Sequence, residues 1–178
     1  MAPDKRRAGV VPPERARRLF FALWPDEAMR RAMIEATRDV VQARRGSDPA
    51  CGGRPVPAAS LHVTLAFLGA VPQRRLQALA QVAQTVAETL RSTRAGEDAP
   101  GCPLELTFDH LEHWPAARLL CALPAAPPAR TVALARSLQA RLTASGFAPD
   151  LKPFRPHVTV VRKVSCPSPL TKMSPVAW

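Results

Sequence analysis

The sequence predicts an α+β chain built from two related halves, and three observations carry that prediction. The tripeptide His-Val-Thr occurs twice, as His62-Val63-Thr64 in LHVTLAFLG and as His157-Val158-Thr159 in RPHVTVVRK, once in each half. Each copy lies in a short run of β-formers. Around them, segments with the strand period of 2 and the helix period of 3.6 follow in the order β-α-β-α, then β-β-α-β.

Residues 1–17 read as a flexible basic tail, rich in Pro, Gly and charge. LFFAL (19–23) reads as a buried strand. Pro25 suits a first helical turn, and Asp26 and Glu27 follow at the positive end of the helix dipole. Ala28, Met29, Ala32, Met33, Ala36 and Val40 then keep helical spacing to about Ala43. The composition of 44–57 is that of a surface loop. SLHVTLAFL (60–68) is a strand ended by Gly69, and Pro72 opens a second helix through Leu76, Leu79, Val82, Val86 and Leu90.

A loop at 92–103 separates the halves. LELTFD (104–109) alternates as a half-exposed strand should, and ARLLCAL (117–123) is the next strand. Pro127 or Pro128 starts a third helix through Val132, Leu134, Leu138 and Leu142, closed by Gly146 at its C-terminal end. RPHVTVVRKV (155–164) is the last strand, so 18–165 is expected to form one domain. The remainder, 166–178, is expected to be irregular and proline-rich.

At 178 residues and 47% apolar content, the chain suits a single domain with an ordinary core. Its net charge of +11 favours polyanionic partners, nucleic acid before anionic membrane. No stretch approaches the length that crosses a bilayer, and the apolar run 19–24 is too short for a signal sequence. Cys51, Cys102, Cys121 and Cys166 show neither a CxxC pair nor zinc-type spacing. Reduced thiols in a cytoplasmic, monomeric protein are the expectation.

No glycine-rich phosphate loop, GxSxG elbow or paired-carboxylate signature is present, so no cofactor is expected. His110 and His113 in DHLEHW lack the helical HExxH arrangement. They are expected at a strand end or loop packed with Trp114, and no metal is assigned.

Side chains two apart in a strand leave the same face. Each copy therefore aims an imidazole and a hydroxyl one way and its valine the other. Two imidazoles facing each other across a groove supply a general acid and a general base, one protonated and one neutral near neutral pH. Each positioned proton transfer contributes about 10²–10⁴ in rate. Threonine hydroxyls donating to non-bridging oxygens stabilise the charge that develops on a phosphate ester. This chemistry needs no metal, and the residues alone leave open which histidine is acid and which is base.

GRPVPAASLHVTLAFLG (53–69), FAPDLKPFRPHVTVVRK (147–163) and the opening RLFFALWPDE (18–27) resemble the two-histidine phosphoesterase superfamily. Within it they look most like the bacterial RNA 2′,3′-cyclic phosphodiesterases, also called 2′-5′ RNA ligases. The resemblance implies a bilobal α+β fold, with two pseudo-symmetric antiparallel sheets backed by helices around a central cleft. It implies metal-independent hydrolysis of RNA or nucleotide ends bearing a 2′,3′-cyclic phosphate, giving 2′-phosphomonoesters. His62 would be the proton donor, His157 the proton acceptor, and Thr64 and Thr159 the phosphate binders.

Arg162, five residues after His157, stands where similar enzymes carry a basic residue. Strict alternation would put it on the face opposite His157 unless a bulge intervenes. Phe67 holds the same offset after His62, with core packing expected and base stacking the alternative. Arg155, with Lys152, is a candidate RNA contact. Relatives continue past the position of Trp178 with a strand that completes a sheet, and here none is expected. That shortening leaves a rival reading, a catalytically weak RNA-end-binding protein; 2′-5′ ligation is a further alternative.

Overall fold

The computed structural model describes residues 15–47, 53–92, 104–150, 152–166 and 171–178. Its strands are β1 (Ala16–Leu23), β2 (Arg54–Pro55), β3 (Val63–Pro72), β4 (Thr107–Trp114), β5 (Leu119–Leu123), β6 (Val158–Arg162) and β7 (Thr171–Ala177). Its helices are α1 (Glu27–Ser47), α2 (Leu76–Ser92) and α3 (Ala129–Ala144).

All strand pairs are antiparallel, in the order β1-β3-β6-β5-β4-β7, with β2 also paired to β6. The two expected halves join at one point, the pair Val63–Val158. Both β3 and β6 start there and run in opposite directions, β3 along β1 and β6 along β5. The sheet therefore opens as two wings from a common axis.

The helices are exchanged between the wings. Met33 of α1, from the first half, sits in the core with Leu106, Phe108, Leu111, Leu120, Val158 and Val161 of the second wing. Leu134, Leu138 and Leu142 of α3, from the second half, join Leu79, Val82 and Val86 of α2 against Leu65 and Ala66 of β3. Each wing is thus covered by a helix from the other half, which binds the two into one domain. Phe108 is fully buried with its ring 5.4 Å from that of Trp178. Phe108→Ala is expected to cost about 3–5 kcal/mol, measurable as a fall in the denaturant midpoint.

Local chemistry accounts for the element ends. Asp26, not Pro25, caps α1: its Oδ1 accepts from the Met29 N–H at 2.8 Å. Helix α3 closes at Gly146 as expected, with φ +74° and the Phe147 N–H bonded to the Leu142 carbonyl at 2.9 Å.

Three expectations are corrected. The first strand begins at Ala16, inside the stretch expected as basic tail, while residues 1–14 lie outside the described residues. Strand β4 runs on to Trp114 rather than ending at Asp109, so His113 lies at the strand end, one of the two places expected for it, whereas His110 lies inside the strand. Within the stretch 166–178, expected to be irregular, residues 167–170 lie outside the described residues, and Thr171–Ala177 forms β7, which pairs with β4 and buries Met173 and Val176. Its Pro175 obscured the strand pattern, and an edge strand tolerates a proline whose missing N–H would have faced outward. Of the expected loop at 92–103, Ser92 still belongs to α2, and residues 93–103, with Cys102, lie outside the described residues, as do residues 48–52, with Cys51.

Candidate active site

Pairing Val63 with Val158 sets the two His-Val-Thr copies side by side about the axis. Antiparallel register places His62 opposite Thr159 and Thr64 opposite His157. Both valines are fully buried. The two histidines and two threonines are half-exposed on the other face. The histidines are diagonal neighbours, which in sheet geometry lie about 7–8 Å apart.

Both rings are held alike. His62 Nδ1 is 2.7 Å from the Ser60 carbonyl, and His157 Nδ1 is 2.8 Å from the Arg155 carbonyl. A carbonyl only accepts, so each Nδ1 carries the hydrogen and donates it. Each Nε2 is left with a lone pair when neutral and an N–H when protonated. The i−2 carbonyl produces the same tautomer twice.

A bulge follows each motif. Thr64 pairs with Ala22 and Ala66 with Phe21, which leaves Leu65 as the extra residue. Thr159 pairs with Cys121 and Val161 with Leu120, which leaves Val160 extra. Leu65 and Ala66, and likewise Val160 and Val161, are consequently all buried. The inserted residue reverses the alternation. Phe67 and Arg162 emerge on the motif face, five residues after their histidines. Arg162 is exposed there, and Phe67 is 37% exposed rather than core. Gly53, at φ +68°, lets β2 lie against this bulge: a Cβ there would stand 2.6 Å from the Arg162 carbonyl oxygen.

The two histidines have different walls. His62 lies under Phe20 and Trp24, each ring centroid 5.0 Å away. Phe20 and Trp24 are 41% and 52% exposed, so with Phe67 they form an open aromatic surface. Arg18 stands over Phe67, 5.4 Å from its centroid. His157 packs 4.4 Å from Trp114. Trp114 donates Nε1–H to Glu112 Oε1 at 2.9 Å, while Glu112 Oε2 accepts from Arg155 at 2.9 Å. Burial holds the His157 pKa below its ordinary 6.5, and the nearby charges of Arg155 and His62 push the same way against its backbone bond.

Cys121 Sγ lies 3.9 Å from Thr159 Oγ1. Burial raises its pKa to about 12, so it stays a thiol. Either group can donate in this contact, and with Cys121 S–H as donor the threonine hydroxyl hydrogen is left for a ligand. Beside His157, a cavity of about 570 Å³ opens between the β4–β5 turn and the segment before β6, lined by Trp114, Ala117, Lys152, Pro153 and Arg155.

Residues 25–171 match the model of the 2′-5′ RNA ligase superfamily. The chain belongs to that superfamily. It is 31% identical over 148 residues to the RNA 2′,3′-cyclic phosphodiesterase of Escherichia coli (strain K12), covering 83% of this chain and 73% of that protein. Its fold is similar to that of E. coli LigT complexed with 3′-AMP, with TM-score 0.66, 28% identity, and 92% and 84% of the two chains covered. It is also similar to TT0787 of Thermus thermophilus, with TM-score 0.58, 26% identity, and 91% and 81% covered.

In this member of the superfamily, His62, Thr64, His157, Thr159, Phe67 and Arg162 share one face, with Arg155 and Lys152 beside His157. Sequence reasoning missed Phe20, Trp24, Trp114, Glu112 and Cys121. For the four that lie in strands the signal was alternation, which does not say which face meets the histidines, and Trp24, just past β1, had none. His110 and His113 sit on opposite faces of β4, and His110 Nδ1 is bonded to Asp109 Oδ1 at 2.7 Å. Among the described residues, no cluster of His, Cys, Asp and Glu has the makings of a metal site. None of their helices is long and apolar enough to cross a membrane. Cys166 is disulfide-bonded, contrary to the expectation of reduced thiols, whereas Cys121 is free and buried.

Proposed function

We propose that this protein hydrolyses RNA 2′,3′-cyclic phosphate ends to 2′-phosphomonoesters, acting as a monomer in the cytoplasm without a metal. The observation that carries the reading is the presence of two imidazoles on one face, each with Nδ1 tied to a carbonyl and Nε2 available, each beside a threonine hydroxyl. The cyclic phosphate sits over the Val63–Val158 axis. Thr64 and Thr159 donate to its non-bridging oxygens. Neutral His157 takes a proton from water at Nε2 as the water oxygen attacks phosphorus. The bond from phosphorus to O3′ breaks in line, and O3′ takes the proton from His62 Nε2. The 2′ oxygen keeps its phosphate.

The depressed pKa of His157 supports its role as base, since a base must be neutral to act. Arg162 adds positive charge near the phosphate, and Arg155 lies on the same approach. Phe67, Phe20 and Trp24 offer a nucleobase a surface on the side of His62, where the ribose must lie if O3′ is to receive its proton. The nucleotide in the similar structure, LigT complexed with 3′-AMP, supports a ligand of this class. The rival reading, a weak RNA-end binder, rests on the net charge of +11 and on the shortened C-terminus; β7, paired to β4, weakens the second ground by giving the chain an ordered final strand of its own.

The deciding experiment offers a nucleoside 2′,3′-cyclic phosphate in EDTA and identifies the product by chromatography. Formation of the 2′-phosphomonoester is expected; loss of activity in EDTA, or a 3′-phosphate product, would reject the reading. The pH profile checks the base separately. The acid limb of kcat/KM is expected below pH 6.5, because His157 must lose its proton before it can act and burial makes it lose that proton early. In Trp114→Ala, which lets water reach the ring, that limb is expected to move up toward 6.5. An unmoved limb would mean that another group sets it.

A further inference from the structure

The leaving O3′ is tethered to the substrate, and the attacking water is not. The direction of attack therefore depends on how firmly the base that takes the water's proton is held. Two groups hold His157. The Arg155 carbonyl accepts from its Nδ1 at 2.8 Å, and the Trp114 ring packs 4.4 Å from its own.

One side chain reaches both holders. Glu112 Oε1 accepts from Trp114 Nε1–H at 2.9 Å, and Glu112 Oε2 accepts from Arg155 Nη2 at 2.9 Å. The Arg155 guanidinium also stands 5.2 Å from the Trp114 ring centroid. Strand β5 lies between β4 and β6, and its Cys121 pairs with Glu112 on one side and Thr159 on the other. The Glu112–Arg155 bond therefore crosses β5, tying the strand that carries Trp114 to the segment that carries Arg155 and His157.

Two facts say what this bond is for. The Arg155 and Glu112 side chains are 56% and 31% exposed, and ion pairs so open to solvent add little to fold stability. Arg155 lies on the approach to the phosphate, but its guanidinium is engaged in a charge-assisted bond. Its charge is matched by a carboxylate instead of being offered to a substrate.

We propose that Glu112 is a positioning residue for the base, holding the His157 ring by fixing both Trp114 and Arg155, and that Arg155 serves this frame rather than binding RNA. The proposal deepens the reading of His157 as base and rests on it. Glu112 does its work through the two neighbours of the ring.

The test compares the full chain with Glu112→Gln and Arg155→Met on a nucleoside 2′,3′-cyclic phosphate. An amide has one oxygen, so glutamine can accept from Trp114 or from Arg155 but not from both. Methionine keeps much of the arginine stem and removes the guanidinium. Each variant is expected to lower kcat about tenfold to a hundredfold with KM nearly unchanged. The double variant should match the single ones, because both lose the same bond. In a His157→Ala background, Glu112→Gln should cost nothing further, whereas a general structural role would lower the residual rate again. Unchanged kcat in Glu112→Gln, or a loss that persists without His157, would overturn the proposal. So would a KM that rises in Arg155→Met and falls in Glu112→Gln, which would make Arg155 a substrate contact that Glu112 withholds. Full turnover in His157→Ala itself would overturn the base assignment, and the positioning role with it.

Discussion

Replacing either motif histidine with alanine is expected to lower kcat/KM for a nucleoside 2′,3′-cyclic phosphate by about 10²–10⁴, the contribution of one positioned proton transfer. His62 and His157 are both half-exposed, and neither belongs to a core cluster. The loss should therefore appear in turnover with the circular dichroism spectrum unchanged. The limbs of the pH profile separate the two roles. His157→Ala should lose the limb on the acid side, where a neutral base is needed, and His62→Ala the limb on the basic side, where a protonated acid is needed. The double variant should fall little below the worse single one, because groups that act as a unit do not contribute additively. Undiminished turnover in either single variant would reject the acid–base pair.

Thr64→Val and Thr159→Val should each reduce kcat by about 10²–10³, the range found when one donor to a developing oxyanion is removed. Valine keeps the branched shape and removes only the hydroxyl, so the strand and its packing are retained. The split between kinetic constants is the informative readout. A donor that acts on charge developed in the transition state lowers kcat and leaves KM nearly unchanged. A rise in KM at constant kcat would reduce the threonines to ground-state binders. The two sites should also differ, because Thr159 has Cys121 as a neighbour and its loss leaves that thiol without its hydroxyl partner 3.9 Å away.

Much of this site was legible before any coordinates. Strand alternation over three residues is enough to place histidine and threonine together and valine opposite, and the full burial of Val63 and Val158 agrees. The helices were legible through their apolar spacing, and Gly146 through the left-handed conformation at the end of α3. Phe67 and Arg162 show the limit of that reasoning. Alternation alone put Arg162 on the wrong face, because a bulge arises from register with a neighbouring strand and leaves no mark in the strand's own sequence. The β7 strand was hidden for a related reason: its short apolar pattern, Met173 and Val176, is interrupted by Pro175 and gains meaning only from pairing with β4.

What the sequence determined by itself is what each motif can present, an imidazole and a hydroxyl on one side of a strand, because that geometry is set within a few consecutive residues. Only the tertiary structure decided that the two motifs meet. Their contact is a single pair between residues remote in the chain, held by helices that each cover the other half's wing. The environment of His157 is likewise decided by Trp114, Glu112 and Arg155, which reach the ring from different elements. Desolvation depends on which side chains surround a group in space, and sequence neighbours do not specify that.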